Sequence, residues 1–219
     1  MKVHDSSSYK SARRDLIEYV LIPRKVLDVG CNIGETGALI KQIYGKDVIV
    51  HGIDYNESAI RASSIKLDIA QKVDLNQLKD FKSFLGNQTF DHILFGDVLE
   101  HLLYPIEIVE IAFEHLTSGG RILISLPNTG FYPSIFHLLT HRWPRNPRGI
   151  YDKTHLTIYT KNNLRELNPR GGEFKIVRRK YRWQEKSGSK LDFVLKILDY
   201  VPYLRNFFTF QFLLEIKKA

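Results

Sequence analysis

Along the chain, apolar residues switch between the period of a strand and the period of a helix. Val26, Leu27 and Val29 form a short apolar run that breaks at Gly30. Ala38, Leu39 and Ile40 then resume at helical spacing, which predicts a helix over 34–44 ended by Gly45. Val48, Ile49, Val50 and Ile53 predict a second strand, 57–67 a short helix, 68–73 a weakly apolar third strand and 90–95 a fourth. A helix over 104–116 ending at Gly119-Gly120 leads to a strand over 121–126, stopped by Pro127. A helix over 161–168, a strand around Phe174 and Ile176 and a closing strand follow. In that last strand Phe208, Phe210, Phe212, Leu214 and Ile216 share one side, and Thr209, Gln211, Glu215 and Lys217 the other. Before all of this, Ala12, Leu16, Ile17 and Val20 predict a leading helix over 9–21, stopped by Pro23. Strand and helix alternate from 25 to 126, the pattern of an α/β protein with a doubly wound parallel sheet.

Two stretches fall outside this alternation. Residues 128–158 are rich in Pro, Gly, aromatic and basic side chains, a mixture suited to an ordered lid. Within 183–205, Leu191, Val194, Leu195, Leu198 and Val201 form one helical stripe, and Phe193, Ile197, Tyr200 and Leu204 a second. Only Asp192, Lys196 and Asp199 keep a narrow polar face. A helix so apolar is buried, shared in a homodimer contact, or laid on a membrane as a peripheral anchor, in that order, with 191–204 as the contact region. The expected organisation is one domain over 1–219, with a core from 23–127 and 161–217, a lid insertion at 128–158 and a helical insertion at 183–205.

Charge changes the picture because it is local. Lys and Arg outnumber Asp and Glu by 32 to 24, a net +8. His137, His141, Arg142, Arg145, Arg148, Lys153 and His155 face the single acid Asp152 within 137–155. Lys175, Arg178, Arg179, Lys180, Arg182, Lys186 and Lys190 face Glu185 within 175–190. A solvated face and an anionic substrate or partner both fit such runs. The single cysteine, Cys31, excludes a disulfide framework and a Cys-rich zinc site and fits a reducing compartment. The first eight residues lack the apolar centre of a signal peptide, and no run is long enough for a transmembrane segment, so a cytoplasmic protein is expected.

The chemistry begins at Gly30. A strand, a glycine turn and a helix start offer bare backbone amides and a positive helix end to a nucleotide-like ligand. The dinucleotide fingerprint places glycines first, third and sixth, whereas Gly30, Asn32 and Gly34 stand first, third and fifth, which weakens an NAD reading. Asp54, roughly 20 residues beyond the turn at a strand end, can accept both hydroxyls of a ribose; capping a helix near Glu57 is its alternative role.

With Asp28 two residues before Gly30, the stretch Asp-Val-Gly-Cys-Asn-Ile-Gly resembles motif I of the class I S-adenosylmethionine-dependent methyltransferases. Its usual form is Asp-Val-Gly-Cys-Gly-Thr-Gly; Asn32 replaces a glycine, and Asn tolerates positive φ. The resemblance extends over about 23–165. It implies a Rossmann-like seven-stranded sheet whose last strand is antiparallel, with S-adenosylmethionine as cofactor and S-adenosylhomocysteine as product. It places Asp28, Gly30, Asn32 and Gly34 at the cofactor turn, Asp54 on the ribose and Tyr55 over the adenine. Asp74 would accept from the adenine amino group beside the Leu75 amide, with Asp68 as rival, and Gly96 and Asp97 would face the sulfonium. Residues 97–101, Asp-Val-Leu-Glu-His, resemble the type 11 and type 23 groups, which include ubiquinone-pathway O-methyltransferases. In some of those the positions matching Asp97, Glu100 and His101 bind a divalent cation; structural hydrogen bonding is the favoured reading here, so no metal is expected. Residues 151–160 resemble the Asp-Arg-Thr-His-Leu-Arg-Phe-Phe-Thr signature of bacterial and archaeal methyltransferases found with glycan and lipid-polysaccharide synthesis enzymes, with Thr157 standing in place of its Arg.

Methyl transfer from a sulfonium needs alignment more than acid–base help, but a hydroxyl acceptor gains from a base. His155 and His101 are the candidates, each with a structural role as alternative, and Asp97 is a third. After the fourth strand Gly-Asp-Val-Leu replaces the Asp/Asn-Pro-Pro-aromatic motif of adenine amino methylation, and no Pro-Cys nucleophile serves pyrimidine carbon-5. O-methylation of a small-molecule or glycan-linked acceptor remains, phosphate-bearing if the basic insertions meet it. The alternatives are an RNA-binding or RNA methyltransferase module using Arg142, Trp143, Arg145, Arg148, Tyr181, Arg182 and Trp183, and a catalytically silent subunit acting through 191–204.

Overall fold

A computed structural model describes residues 11–181, 201 and 204–219. Most of the 183–205 segment, and with it the apolar stripes of 191–200, lies outside the described residues. The elements are α1 (Arg14–Ile17), β1 (Lys25–Val29), α2 (Glu35–Tyr44), β2 (Ile49–Asp54), α3 (Glu57–Ser63), β3 (Ile69–Lys72), α4 (Leu78–Leu85), β4 (Phe90–Gly96), α5 (Pro105–Glu114), β5 (Leu116–Pro127), α6 (Tyr132–Leu139), β6 (Gly172–Tyr181) and β7 (Thr209–Lys218). They build one seven-stranded sheet in the order β3-β2-β1-β4-β5-β7-β6. Strands β1 to β5 run parallel, and β7 lies antiparallel between β5 and β6. This is the α/β, Rossmann-like sheet with an antiparallel last strand that the sequence implied.

Alternation along each strand divides the core in two. In β1, Val26 packs on one face with Leu16, Ile17, Ile40, Val50 and Leu94, under α1 and α2. Leu27 and Val29 point to the other face, with Phe81, Phe90, Phe95 and Ile108 under α4 and α5. Covered on both sides, the central strands read as mainly apolar runs, which is why their positions were legible.

Five expectations are corrected. The leading helix shortens to α1, and the helix over 161–168 to one 3-10 turn, Leu164–Leu167. Helix α4 was not anticipated, although Phe81, Phe84 and Leu85 stand at helical spacing, because Lys79, Asp80, Lys82 and Ser83 dilute the signal. Strand β5 begins at Leu116 and runs through Gly119-Gly120, with a register shift against β4, instead of starting after those glycines. In β7, Thr209, Gln211 and Glu215 are buried as fully as Phe212, Leu214 and Ile216. The strand is interior, so its polar side is covered too, and Glu215 is met there by Arg121.

Gly52 in β2 sits where no side chain fits: a Cβ would stand 2.4 Å from Leu67 Cδ1 and 2.8 Å from Cys31 Sγ. Gly52→Ala should therefore destabilise the fold by about 1–3 kcal/mol in urea titrations, with an unchanged denaturant slope.

Candidate active site

The turn after β1 enters positive φ at every second residue, at Gly30 (72°), Asn32 (46°) and Gly34 (79°). The amides of Gly30 and Cys31 both donate to the Ile53 carbonyl, at 2.8 and 3.0 Å. The next amide, Asn32, donates to Asp54 Oδ2 at 3.0 Å, and Asp54 Oδ1 accepts from the Asn56 amide at 2.8 Å. Asn56, not Asp54, caps α3, so the capping alternative for Asp54 falls away. A Cβ at Gly30 would meet Val98 Cγ2 at 2.5 Å, so glycine is required there for space as well as for φ.

The turn opens onto a crevice of about 640 Å³ at the carboxyl ends of the parallel strands. It gathers Gly30 and Asn32 from the first loop, Asp54 and Tyr55 from the second, Asp74 and Leu75 from the third, and Gly96, Asp97 and His101 from the fourth. Asp28 and Gly34 do not line it. Asp28 is buried in β1 behind the turn, and Gly34 backs onto Ser63 and Leu67. The rival Asp68 is occupied elsewhere, accepting from Lys41 Nζ at 2.6 Å and the Val50 amide at 2.7 Å.

Electrostatics follow from burial. Asp28 is 5% exposed and its Oδ2 has no hydrogen-bond partner. Desolvation, then the neighbouring charge of Asp54, push its carboxyl up to about 7. Asp54 is also raised by burial. The Cys31 thiol is pushed far up by burial and by Asp28 and Asp54, which removes it as a nucleophile.

Asp97 adopts φ 57° and is held on three sides. Its carboxylate accepts from Arg13 Nη1 at 2.8 Å, Ser125 Oγ at 2.7 Å and Gln211 Nε2 at 2.6 Å, while its amide donates to Ser125 Oγ at 3.0 Å. Arg13 also binds both oxygens of Asp15, whose carboxylate pairs with Lys180. Against the opposing effect of burial, Arg13 and Lys180 hold Asp15 well below the usual carboxylate range. Arg13 and its network had no signal in the sequence, since its partners come from the fourth, fifth and last strands.

The metal-competent cluster differs from the set that the resemblance matched. Among the described residues, Glu100, His101 and His155 bring one ligand atom each within 4.8 Å of one another; Asp97 is committed to Arg13. The single 3-10 turn Leu99–His101 is joined to the insertion where the Glu100 carbonyl accepts from the Leu156 and Thr157 amides, at 2.8 and 3.1 Å. Thr154 Oγ1 donates its one proton to Asp152 Oδ1 at 2.7 Å, so at 3.0 Å it accepts from His101 Nδ1. That tautomer places the lone pair of His101 on Nε2. The rings of His101 and His155 meet edge to face at 4.8 Å, and His155 Nε2 stands 4.0 Å from Glu100 Oε1. Burial, then His101, lower the pKa of His155. Burial, then Asp97, hold the Glu100 carboxyl well above its usual range. Glu100, His101 and His155 line a second cavity of about 250 Å³, and Asp97, His101 and Asp152 border both cavities.

The two basic runs separate. Arg178 pairs with Glu18 and Lys180 with Asp15, so the described part of the second run is partly neutralised. Arg142, Arg145 and Arg148 stay exposed on the insertion.

The family described as "Methyltransferase domain" matches residues 6–177 of the chain. The chain belongs to this methyltransferase-domain family. The chain is 28% identical over 137 residues to the ubiquinone biosynthesis O-methyltransferase of Aromatoleum aromaticum, covering 60% of this chain and 57% of that one. Over 135 residues it is 27% identical to the trans-aconitate 2-methyltransferase of Rhizobium rhizogenes, covering 61% and 50%. It thus spans only a little over half the length of the curated relatives it matches. A methyltransferase structure from Archaeoglobus fulgidus shares the fold with TM-score 0.62 and 19% identity, over 94% of this chain and 90% of that one. The plantazolicin methyltransferase BpumL, solved with S-adenosylhomocysteine and a monoazolic desmethylPZN analog, shares it with TM-score 0.58 and 22% identity, over 93% and 79%. No helix among the methyltransferase's described residues is long and apolar enough to cross a membrane.

The raised carboxyl of Asp28 makes the stability of this methyltransferase pH-dependent. Its contribution is complete below the ordinary aspartate value and is lost as pH rises through about 7. Asp28→Asn removes that loss and should stabilise the fold by up to about 4 kcal/mol at pH 8, with the gain shrinking toward pH 4, in urea titrations across that range.

Proposed function

We propose that this methyltransferase O-methylates a hydroxyl of a small-molecule or glycan- or lipid-linked acceptor that carries a phosphate. The observation that carries this reading is the position of His101, between the cofactor crevice and the second cavity with its lone pair on Nε2. In this reading Asp54 grips the ribose hydroxyls beside the amides of the Gly30 turn, and Asp74 with the Leu75 amide reads the adenine that Tyr55 covers. Gly96 and Asp97 face the sulfonium, while Asp28 and Gly34 shape the turn from behind. When bound, S-adenosylmethionine supplies a methyl group already attached to its leaving group. The chain aligns the acceptor, excludes water and takes a proton from the hydroxyl at His101 Nε2, with His155 and Glu100 holding the acceptor oxygen.

The Glu100, His101 and His155 cluster favours a second reading in the same cavity: two nitrogen donors and one carboxylate could hold a divalent ion, which would polarise the acceptor hydroxyl as a Lewis acid. The RNA reading draws less support, because the Trp143 ring is engaged edge-on by Tyr151 at 5.5 Å, and Arg182 and Trp183 lie outside the described residues.

His101→Gln should lower kcat by about 10²–10⁴-fold with the cofactor Kd unchanged. Full activity after exhaustive chelation supports the base reading, and activity restored only by added metal supports the other. The variant R142Q/R145Q/R148Q should raise acceptor KM and flatten its salt dependence while leaving kcat near wild type; an unchanged KM and salt dependence would remove the phosphate from the acceptor.

A further inference from the structure

We infer that helix α6 and the loop after it form a docking face for an anionic lipid leaflet. The face is wrong for water. Phe136 is 64% and Leu139 75% exposed, and Tyr132, Leu138 and Trp143 are exposed beside them. A surface helix ordinarily turns its apolar residues inward, yet in α6 the buried side chain is Ser134, which donates to the Tyr151 hydroxyl at 3.2 Å. The patch continues onto the turn Arg205–Phe208, where Phe207 is exposed and the Phe208 ring meets Tyr132 at 5.7 Å.

Charge selects the occupant. Arg142, Arg145 and Arg148 follow the apolar helix, all exposed. The one acid of the run, Asp152, is buried and accepts from Thr154. Aromatic and aliphatic anchors flanked by arginines match an interface whose headgroups are anionic and whose interior is apolar. A second copy docked by two-fold symmetry would set arginines against arginines, and an RNA would leave Phe136, Leu138 and Leu139 in water. The face is coupled to the second cavity through Tyr151, whose ring meets His137 at 5.3 Å and Trp143 at 5.5 Å and whose neighbour Asp152 borders that cavity. Docking would bring the cavity to the level of the headgroups. This rests on the reading of a phosphate-bearing acceptor, since it assigns the same arginines to phosphates of the leaflet.

The test is sedimentation of the full chain with vesicles of phosphatidylcholine, with and without phosphatidylglycerol, in the absence of cofactor and acceptor. The wild type should bind the anionic vesicles and be released by salt. Phe136→Ser with Leu139→Ser should weaken binding at least tenfold, and so should R142Q/R145Q/R148Q, at about fivefold for each arginine that meets the headgroups. Unaltered calorimetric binding of S-adenosylhomocysteine shows that both variants are folded. Equal binding to neutral vesicles, wild-type binding by both variants, or loss of binding only on Leu195→Ser with Leu198→Ser would each overturn the assignment. So would a concentration-dependent dimer that F136S/L139S dissolves, or protection of the arginines by RNA, without vesicle binding. If vesicles are not bound but a soluble phosphate-bearing acceptor still loses affinity in the triple-arginine variant, the lipid face falls and the acceptor reading stands.

Discussion

The site depends on one short set of hydrogen bonds: the Gly30 and Cys31 amides on the Ile53 carbonyl, and the Asn32 amide on Asp54. They tie the loop after β1 to the end of β2, where the parallel register sets Val29 beside Ile53. Without that tie the amides of the turn and the acid of the second strand would be two separate loops. The packing beneath is equally constrained, because Gly52 leaves room for Cys31 and Leu67. The motif's small residues thus serve a joint between two strands as well as an approach for the cofactor.

A second joint closes the other side. Arg13, which also holds Asp15 within the leading segment, crosses to Asp97 and Ser125, so three parts of the chain meet beside Gly96. Around these joints lie two buried acids with an unpaired oxygen each, Asp28 behind the turn and Glu100 in the second cavity. Buried polar atoms without partners cost stability, and among the described residues the two acids left in that state both stand beside the candidate site, where a ligand could complete them.

The sheet was legible because its central strands are covered on both faces and read as mainly apolar runs followed by Gly or Asp. The cofactor loops were legible for the same reason: a strand end fixes where Asp54, Asp74 and Asp97 emerge. What stayed hidden depended on partners distant in sequence. Nothing near Arg13 announces Asp97, and nothing near Glu215 announces Arg121. Asp97 resembled a metal ligand until its three donors were visible, while His155 joined Glu100 and His101 only through the contacts of the insertion. Local charge was incomplete at Arg178 and Lys180, where Glu18 and Asp15 supply acids from afar, and pattern failed at α4, where four polar residues dilute four apolar ones.

The central claim is that Asp54, aligned by the turn, holds the cofactor's ribose. Calorimetric titration of S-adenosylhomocysteine into the wild type and Asp54→Ala tests it most directly. Losing charge-assisted hydrogen bonds worth about 1.5–3 kcal/mol should weaken Kd by at least tenfold in the variant while the wild type binds one equivalent. Equal affinity in the two proteins, or no binding by the wild type, would contradict the account.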